Sequence, residues 1–357
     1  MNETQSGHVA GGLDLALVVV THNHHDILRS CLCSIFAAME GIDGEVIVVD
    51  NASTDATSVV MTREFPQVRY LHNPVNVHYT RAVNQGMRAT GGRYVMLLND
   101  DTVLDQNSLR TLLRFMGGHP KCGAVGPALV SAQGEVQGSA KRFPTPFREM
   151  MMVSGLAWWL WDRRWADEMQ TQYRSPLKER MVDWVCGGAI LFRRSVIEQL
   201  NYHDEQYLFY RDDPDIGMRL KTTGWDVWYC PDSRVVHYHG MSTVKTPNKA
   251  RFDVIETRSR RHYHRKFSGI AGLVFVEVCI GGAVSLRALK AAVCGKWKKA
   301  GENWRQILVL LTACVKPREE SEAELGFLNA QYNGVNGAMS GSANGVGECV
   351  GQEGVKA

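Results

Sequence analysis

The 357-residue chain lacks a glycine-rich turn after its first apolar run, any Cys-x-x-Cys pair and any internal repeat, and it carries little net charge. Thr21-His22-Asn23-His24-His25 follows the apolar residues 15–20 and contains no glycine. That excludes the phosphate-cradling loops of sugar-nucleotidyltransferases and the GxGxxG turn of dinucleotide oxidoreductases. The nine cysteines are odd in number and scattered, and Cys31-x-Cys33 is too close for ordinary zinc or disulfide geometry. Most read as small buried apolar side chains in a reducing compartment. A formal charge of +3 gives nucleic-acid binding no electrostatic support, so none is expected. Residues 1–12 carry no positively charged start with an apolar core, so no signal peptide is expected and the location predicted is cytoplasmic. Residues 270–293 are strongly apolar but interrupted by Glu277, Arg287 and Lys290. They read as a helix that is buried or lies on a membrane surface, not as a span.

What is present is ordinary for a globular protein: 45% hydrophobic and 22% charged residues, in a length that suits a sizeable core. Strand-like runs at 15–20, 45–50, 68–71 and 94–98 alternate with helical patterns at 25–39, after the capping residues Ser53-Thr54-Asp55, and at 79–89. Strands apolar on both faces, separated by helices, predict a mostly parallel sheet covered on both sides. Ligands in such sheets gather at the carboxyl ends of the strands, where Thr21, Asn23, Asp50, Asn51 and Asp101 fall. In the second half, 144–176 is rich in Trp, Met and Arg, with Trp158, Trp159, Trp161 and Trp165 close together. Residues 182–192 return to strand character around Gly187-Gly188. Residues 212–223 predict a helix with Asp213 in its first turn, ended by Gly224-Trp225, before short strands at 227–229 and 235–237. The organisation expected is a flexible 1–12, a catalytic α/β domain over 13–245, a basic then apolar helical segment over 246–316, and a disordered tail from 317 to 357.

Two acidic clusters carry the chemistry. Asn99-Asp100-Asp101 sits where a strand would end, and carboxylates there suit a hard divalent cation bound to a diphosphate. Arg211-Asp212-Asp213-Pro214-Asp215 supplies a separate carboxylate able to take a proton from a hydroxyl. A cation holding a leaving diphosphate, with a distant base, is the minimum apparatus for moving a sugar from a nucleotide donor.

With Val18-Val19-Val20-Thr21-His22-Asn23, Val48-Val49-Asp50-Asn51-Ala52-Ser53-Thr54-Asp55 and Asn99-Asp100-Asp101 in series, the chain resembles the glycosyltransferase family 2 enzymes. Its greatest likeness is to the rhamnosyltransferase-like branch that builds bacterial surface polysaccharides. Ala82-Val83-Asn84-Gln85-Gly86, Gly123-Ala124-Val125-Gly126-Pro127, Val182-Asp183-Trp184-Val185-Cys186-Gly187-Gly188-Ala189 and the stretch from Val235 through Ser242 extend the likeness over 15–267.

The resemblance implies an α/β GT-A fold followed by C-terminal helices. It also implies an inverting glycosyltransferase using Mg or Mn, a UDP- or dTDP-linked sugar donor, and a glycan or lipid-linked acceptor, with rhamnosyl transfer as the specific case. The alternative is a catalytically silent relative that binds a sugar nucleotide. Carried over residue by residue, Thr21, Asn23, Asp50, Asn51, Arg81 and Asp100 would line the nucleotide pocket. Asp101 and His237, with His239 as rival, would hold the metal, and Asp213 would be the base. Asp212, Asp215 and Trp184 would support the site or face the acceptor. The family's usual Gly-Phe is replaced by His78-Tyr79, and the histidine is expected to remove the positive-φ freedom of glycine. The basic stretch 258–266 is expected to meet an anionic headgroup, placing the protein peripherally on the cytoplasmic face of a membrane.

Overall fold

The computed structural model describes residues 13–156, 173, 178–238 and 249–312. Trp158, Trp159, Trp161, Trp165, His239, the first twelve residues and the tail from 317 lie outside the described residues.

The first half alternates as the periodicity predicts. β1 (Leu15–Thr21), α1 (His25–Ala38), β2 (Gly44–Asp50), α2 (Thr57–Glu64), β3 (Arg69–His72), α3 (Tyr79–Ala89) and β4 (Tyr94–Asn99) follow one another. Strands β3, β2, β1 and β4 lie side by side and parallel, in that order. β1 is an almost continuous run of buried β-branched and leucine side chains, as a strand covered on both faces must be. One face is closed by α1, whose Leu28, Cys31, Leu32 and Ile35 recur at helical spacing and are buried. The other is closed by α3, which approaches so closely that a Cβ on Gly86 would stand 2.3 Å from Val18 Cγ1. Asp55, expected as a helix cap, instead accepts from Thr57 N and stands beside His25, so α2 begins two residues later.

Beyond β4 the sheet becomes mixed. β5 (Thr102–Leu104), α4 (Ser108–Gly118), β6 (Cys122–Val130), β7 (Ala140–Lys141) and α5 (Pro146–Val153) come first. β8 (Arg180–Val182), β9 (Trp184–Val185), β10 (Ala189–Arg193), α6 (Arg194–Gln199), α7 (Asp212–Thr222) and β11 (Asp226–His237) complete this half. β10 inserts antiparallel between β4 and β6, β11 runs parallel to β6, and β5 and β8 pair antiparallel with β11. The strand character expected over 182–192 is realised as three short strands, β8, β9 and β10. The two predicted near 227 and 235 are one strand with register shifts after Asp226 and Cys230.

Three helices follow: α8 (Lys249–Phe267), α9 (Gly269–Val293) and α10 (Trp297–Thr312). α8 is tied to the sheet domain by Lys266 Nζ, which donates to Asp215 Oδ1 at 2.6 Å and Asp204 Oδ2 at 2.8 Å. Arg260 and Arg261 both bind Glu277 of α9. Most of the charge expected to face a headgroup from 258–266 is thus turned inward. Cys31, Cys122, Cys186, Cys230, Cys279 and Cys294 are free thiols, and Cys33 is disulfide-bonded although Cys31-x-Cys33 itself is too close to pair.

Candidate active site

The carboxyl ends of β1, β2 and β4 converge as parallel packing requires, and bring the first acidic cluster beside the loop after β1. Asp100 and Asp101 are both buried. Thr21 Oγ1 donates to Asp100 Oδ2 at 2.8 Å, and His24 Nδ1 lies 3.5 Å from the same oxygen. Burial opposes protonation of His24, but the hydrogen bond and charge of Asp100 outweigh it and raise its pKa. Asn23, at φ 59°, receives Thr54 N on its side-chain oxygen at 2.6 Å, joining the first loop to the second.

Asp50 is fully buried and already committed. It accepts from Ser53 N at 2.8 Å and from the Tyr70 hydroxyl, and His72 Nδ1 lies 3.1 Å away. Asn51 accepts from Val77 N and donates to Asn76 Oδ1, which orders the approach to α3. At the end of that loop His78 sits at φ 71°, ψ 161°. Histidine therefore does not remove the glycine conformation expected to be lost; it adopts it. This region is close to glycine-only, so the position stores about 1–3 kcal/mol of strain. The next residue, Tyr79, donates to Asn99 Oδ1 at 3.1 Å. Burial, followed by the charges of Asp212, Asp213 and others, drives its phenol pKa well up, which places Tyr79 between the two acidic clusters.

Asp101 and His237 meet across the β5–β11 edge, with His237 Nε2 at 3.4 Å from Asp101 Oδ1. Gln137, which sequence reasoning missed, grips the other side of this ring. Its Nε2 donates to the His237 carbonyl at 2.8 Å, and its Oε1 faces His237 Nδ1 at 3.0 Å. A carbonyl can only accept, so the amide orientation is fixed and Nδ1 must carry the proton. Asp101 Oδ1, which Nε2 faces, is buried without a hydrogen-bond partner. Such a carboxylate oxygen beside an imidazole already satisfied at Nδ1 fits a divalent cation, which would take Nε2 as its nitrogen ligand. Among the described residues no group of three His, Cys, Asp or Glu side chains converges. Two protein ligands, with the rest of the shell left to phosphate oxygens and water, is how Mg is usually bound. No sequence signal marked Gln137, because it reaches His237 only through the return of β11 past β6.

Asp213 is the second residue of α7 and follows a strained turn. Tyr210 and Arg211 precede it, both with positive φ, at 60° and 67°. The turn is held by Arg211 Nη1 on Glu149 Oε1 at 2.6 Å. Burial would raise the Glu149 carboxyl, but Arg211 and His264 outweigh it and hold it down at about 2. Asp213 Oδ2 accepts from Gly187 N at 2.8 Å. Burial, then the neighbouring Asp212, pushes Asp213 well above the usual carboxylate range against that one bond. Asp212 is raised too, by burial and by Asp215.

The paired glycines bring the two halves of the site together. A Cβ on Gly187 would meet Asp213 Oδ1 at 2.6 Å, and one on Gly188 would meet His237 Cε1 at 3.3 Å. Asp213 and His237 therefore abut consecutive residues. Asp215 is fully buried under Tyr207, Arg219 and Lys266 and supports the helix. Trp184 packs on Gly217 of α7 and donates to the Arg142 carbonyl at 2.9 Å, so it also braces that helix. Arg81 Nε lies 3.8 Å from Glu205 Oε2.

A family model described as glycosyl transferase family 2 matches residues 16–200, which include β1 to β10. The N-acetylglucosaminyl-diphospho-decaprenol L-rhamnosyltransferase of Mycobacterium tuberculosis is 32% identical over 245 residues, covering 65% of this chain and 78% of that one. Rhamnosyltransferase WbbL of Escherichia coli K12 is 22% identical over 237 residues, covering 62% and 82%. Among solved structures, a mannosyltransferase of Pyrobaculum calidifontis with GDP-Man and Mn2+ is 15% identical, covers 86% of this chain and 87% of its own, and has a TM-score of 0.47. With the family's motifs lying at the ends of the strands that the model spans, this chain belongs to glycosyl transferase family 2 and is a glycosyltransferase of GT-A fold.

Proposed function

We propose that the chain transfers an L-rhamnosyl residue, with inversion, from a dTDP-linked donor to a hydroxyl of a polyprenyl-diphosphate-linked sugar. It would do so at the cytoplasmic face of a membrane. The observation that supports the mechanism is that Asp213 and His237 abut the consecutive glycines Gly187 and Gly188, one on each side, so that the proposed base and the Asp101–His237 pair belong to one site. Both relatives are rhamnosyltransferases, which supports the sugar, and the N-acetylglucosaminyl-diphospho-decaprenol acceptor of the Mycobacterium tuberculosis enzyme supports a lipid-linked one.

In this reading Thr21, Asn23, Asp50 and Asn51 shape the nucleotide pocket, and Asp100 lies toward the ribose and donor sugar. A divalent cation on Asp101 and His237 supplies the positive charge that a departing diphosphate needs. Asp213 takes the proton of the acceptor hydroxyl as that oxygen bonds to the anomeric carbon. The bond from that carbon to the phosphate oxygen breaks on the opposite face, and no enzyme-linked intermediate forms. The raised pKa of Asp213 suits a base, because proton affinity nearer the operating pH increases the driving force for abstraction. Asp212 and the strained turn at Tyr210-Arg211 hold it there.

The test is transfer and donor hydrolysis by purified protein over a panel of nucleotide sugars with Mn2+ or Mg2+. Asp213→Asn should keep nucleotide affinity and lose about 10²-fold or more in turnover. Turnover within a few-fold of wild type removes Asp213 from the role. A wild type inert toward every donor leaves the silent, sugar-nucleotide-binding alternative.

A further inference from the structure

The three C-terminal helices leave an apolar surface that the sheet domain does not use. α9 is long and apolar enough to cross a membrane by composition, with a mean hydropathy of 2.0 over its best window and 17% of that window buried. Its inner side is packed: Val276, Ile280, Val284 and Ala288 are buried, against Val153 of α5 and Ile307 of α10 among others. Its outer side carries Ile270, Val274, Val278, Leu286, Leu289 and Val293, all more than half exposed. At helical pitch these fall within an arc of about 160°, opposite the packed stripe. α10 adds Trp297, Trp304 and Leu308, seven and eleven residues apart from the first, hence on one line and likewise exposed. So large an exposed apolar face marks an interaction surface.

We propose that the outer faces of α9 and α10 insert in the plane of an anionic bilayer as a monotopic wedge. Three observations commit the surface to lipid in that orientation. First, residues 290–305 carry Lys290, Lys296, Lys298, Lys299 and Arg305 against Glu302 alone, a basic sequence that suits anionic headgroups and disfavours a second copy of the same face, whereas Arg287 donates inward to the Val153 carbonyl. Second, Trp297 and Trp304 are residues that favour the boundary between headgroups and hydrocarbon. Third, Glu277 lies about a third of the way along α9, well inside it, and binds Arg260 and Arg261 of α8. A spanning α9 would drag that ionic cluster into hydrocarbon, whereas an in-plane α9 keeps it on the protein side. The anchor therefore differs from a basic 258–266 segment, whose Arg260, Arg261 and Lys266 are occupied within the fold.

This rests on the proposed lipid-linked acceptor only for its purpose; vesicle binding is measured without donor or acceptor. Flotation of the full chain with phosphatidylglycerol-rich vesicles should show binding at low salt, weakened at least tenfold at high salt and reversed by alkaline carbonate. Val278→Asp with Leu289→Asp should lower vesicle affinity at least tenfold with an unchanged thermal midpoint. Should that pair fail to fold, Trp297→Phe with Trp304→Phe serves instead: quenching of tryptophan emission by brominated lipid should fall relative to wild type. No flotation at low salt overturns the proposal. So does retention through carbonate, which marks a span, or a concentration-dependent dimer that hides the face. A transferase inactive on every donor that still floats would overturn the proposed function and leave the wedge standing.

Discussion

Gln137 offers the sharpest test of the metal site, because it touches His237 at both ends and nothing in the reaction requires it to touch substrate. Gln137→Met keeps the length and removes two hydrogen bonds, at 3.0 Å to His237 Nδ1 and 2.8 Å to the His237 carbonyl. At about 1 kcal/mol net for each, some 2 kcal/mol is lost, divided between folding and the orientation of the ring. Freed of its acceptor, the imidazole can turn or place its proton on Nε2, and the lone pair beside Asp101 is gone. Outer-shell losses of this kind typically weaken metal affinity by about 10–100-fold. Mn2+ titration followed by electron paramagnetic resonance, in the presence of nucleoside diphosphate, reads this without turnover. Gln137→Glu separates the two contacts: a carboxylate still accepts from Nδ1 and makes Nε2 more basic, but cannot donate to the His237 carbonyl, so Mn2+ affinity should recover part of the loss. Unchanged Mn2+ affinity in Gln137→Met would refute the argument, and so would an equal loss in both variants.

Further outcomes follow from the same geometry. Gly187→Ala puts a methyl where Asp213 Oδ1 stands, 2.6 Å from the new carbon, so the base must move; turnover should fall by about 10²-fold while nucleotide affinity holds, and calorimetry beside kinetics checks both. Asp213 is raised by burial and then by Asp212, so the base is lost to protonation as pH falls through a pKa above the ordinary carboxylate value. Asp212→Asn removes the neighbouring charge and should move the acid limb of the pH–kcat profile to lower pH; an unmoved limb contradicts the pairing. His78→Gly relieves strain worth about 1–3 kcal/mol and gives back about 0.5–1 kcal/mol of chain entropy, for a net gain near 1 kcal/mol in denaturant unfolding. A less stable variant would show that the His78 side chain contributes more than its backbone costs.

The sequence by itself determined the parallel half of the sheet. β1 to β4 and their helices are local patterns, and 15–20, 45–50 and 79–89 appear in the structure within a residue or so of their expected bounds. Because parallel strands align their carboxyl ends, Thr21, Asp50 and Asp100 had to gather whatever the rest of the chain did. The helix carrying Asp213 was equally legible, from its acidic first turn and terminal Gly224. What only the tertiary structure decided lies in contacts between distant segments. Gln137 and His237 stand a hundred positions apart and meet because β11 runs beside β6. Gly187 and Gly188 read as strand glycines, and their need to be bare arises from Asp213 on one side and His237 on the other. A basic run looks the same whether its charges face solvent or pair inward, so only packing could assign Arg260, Arg261 and Lys266 to Glu277, Asp204 and Asp215. His78 shows the same limit in the backbone: composition says histidine avoids positive φ, and the surrounding loop imposes it regardless.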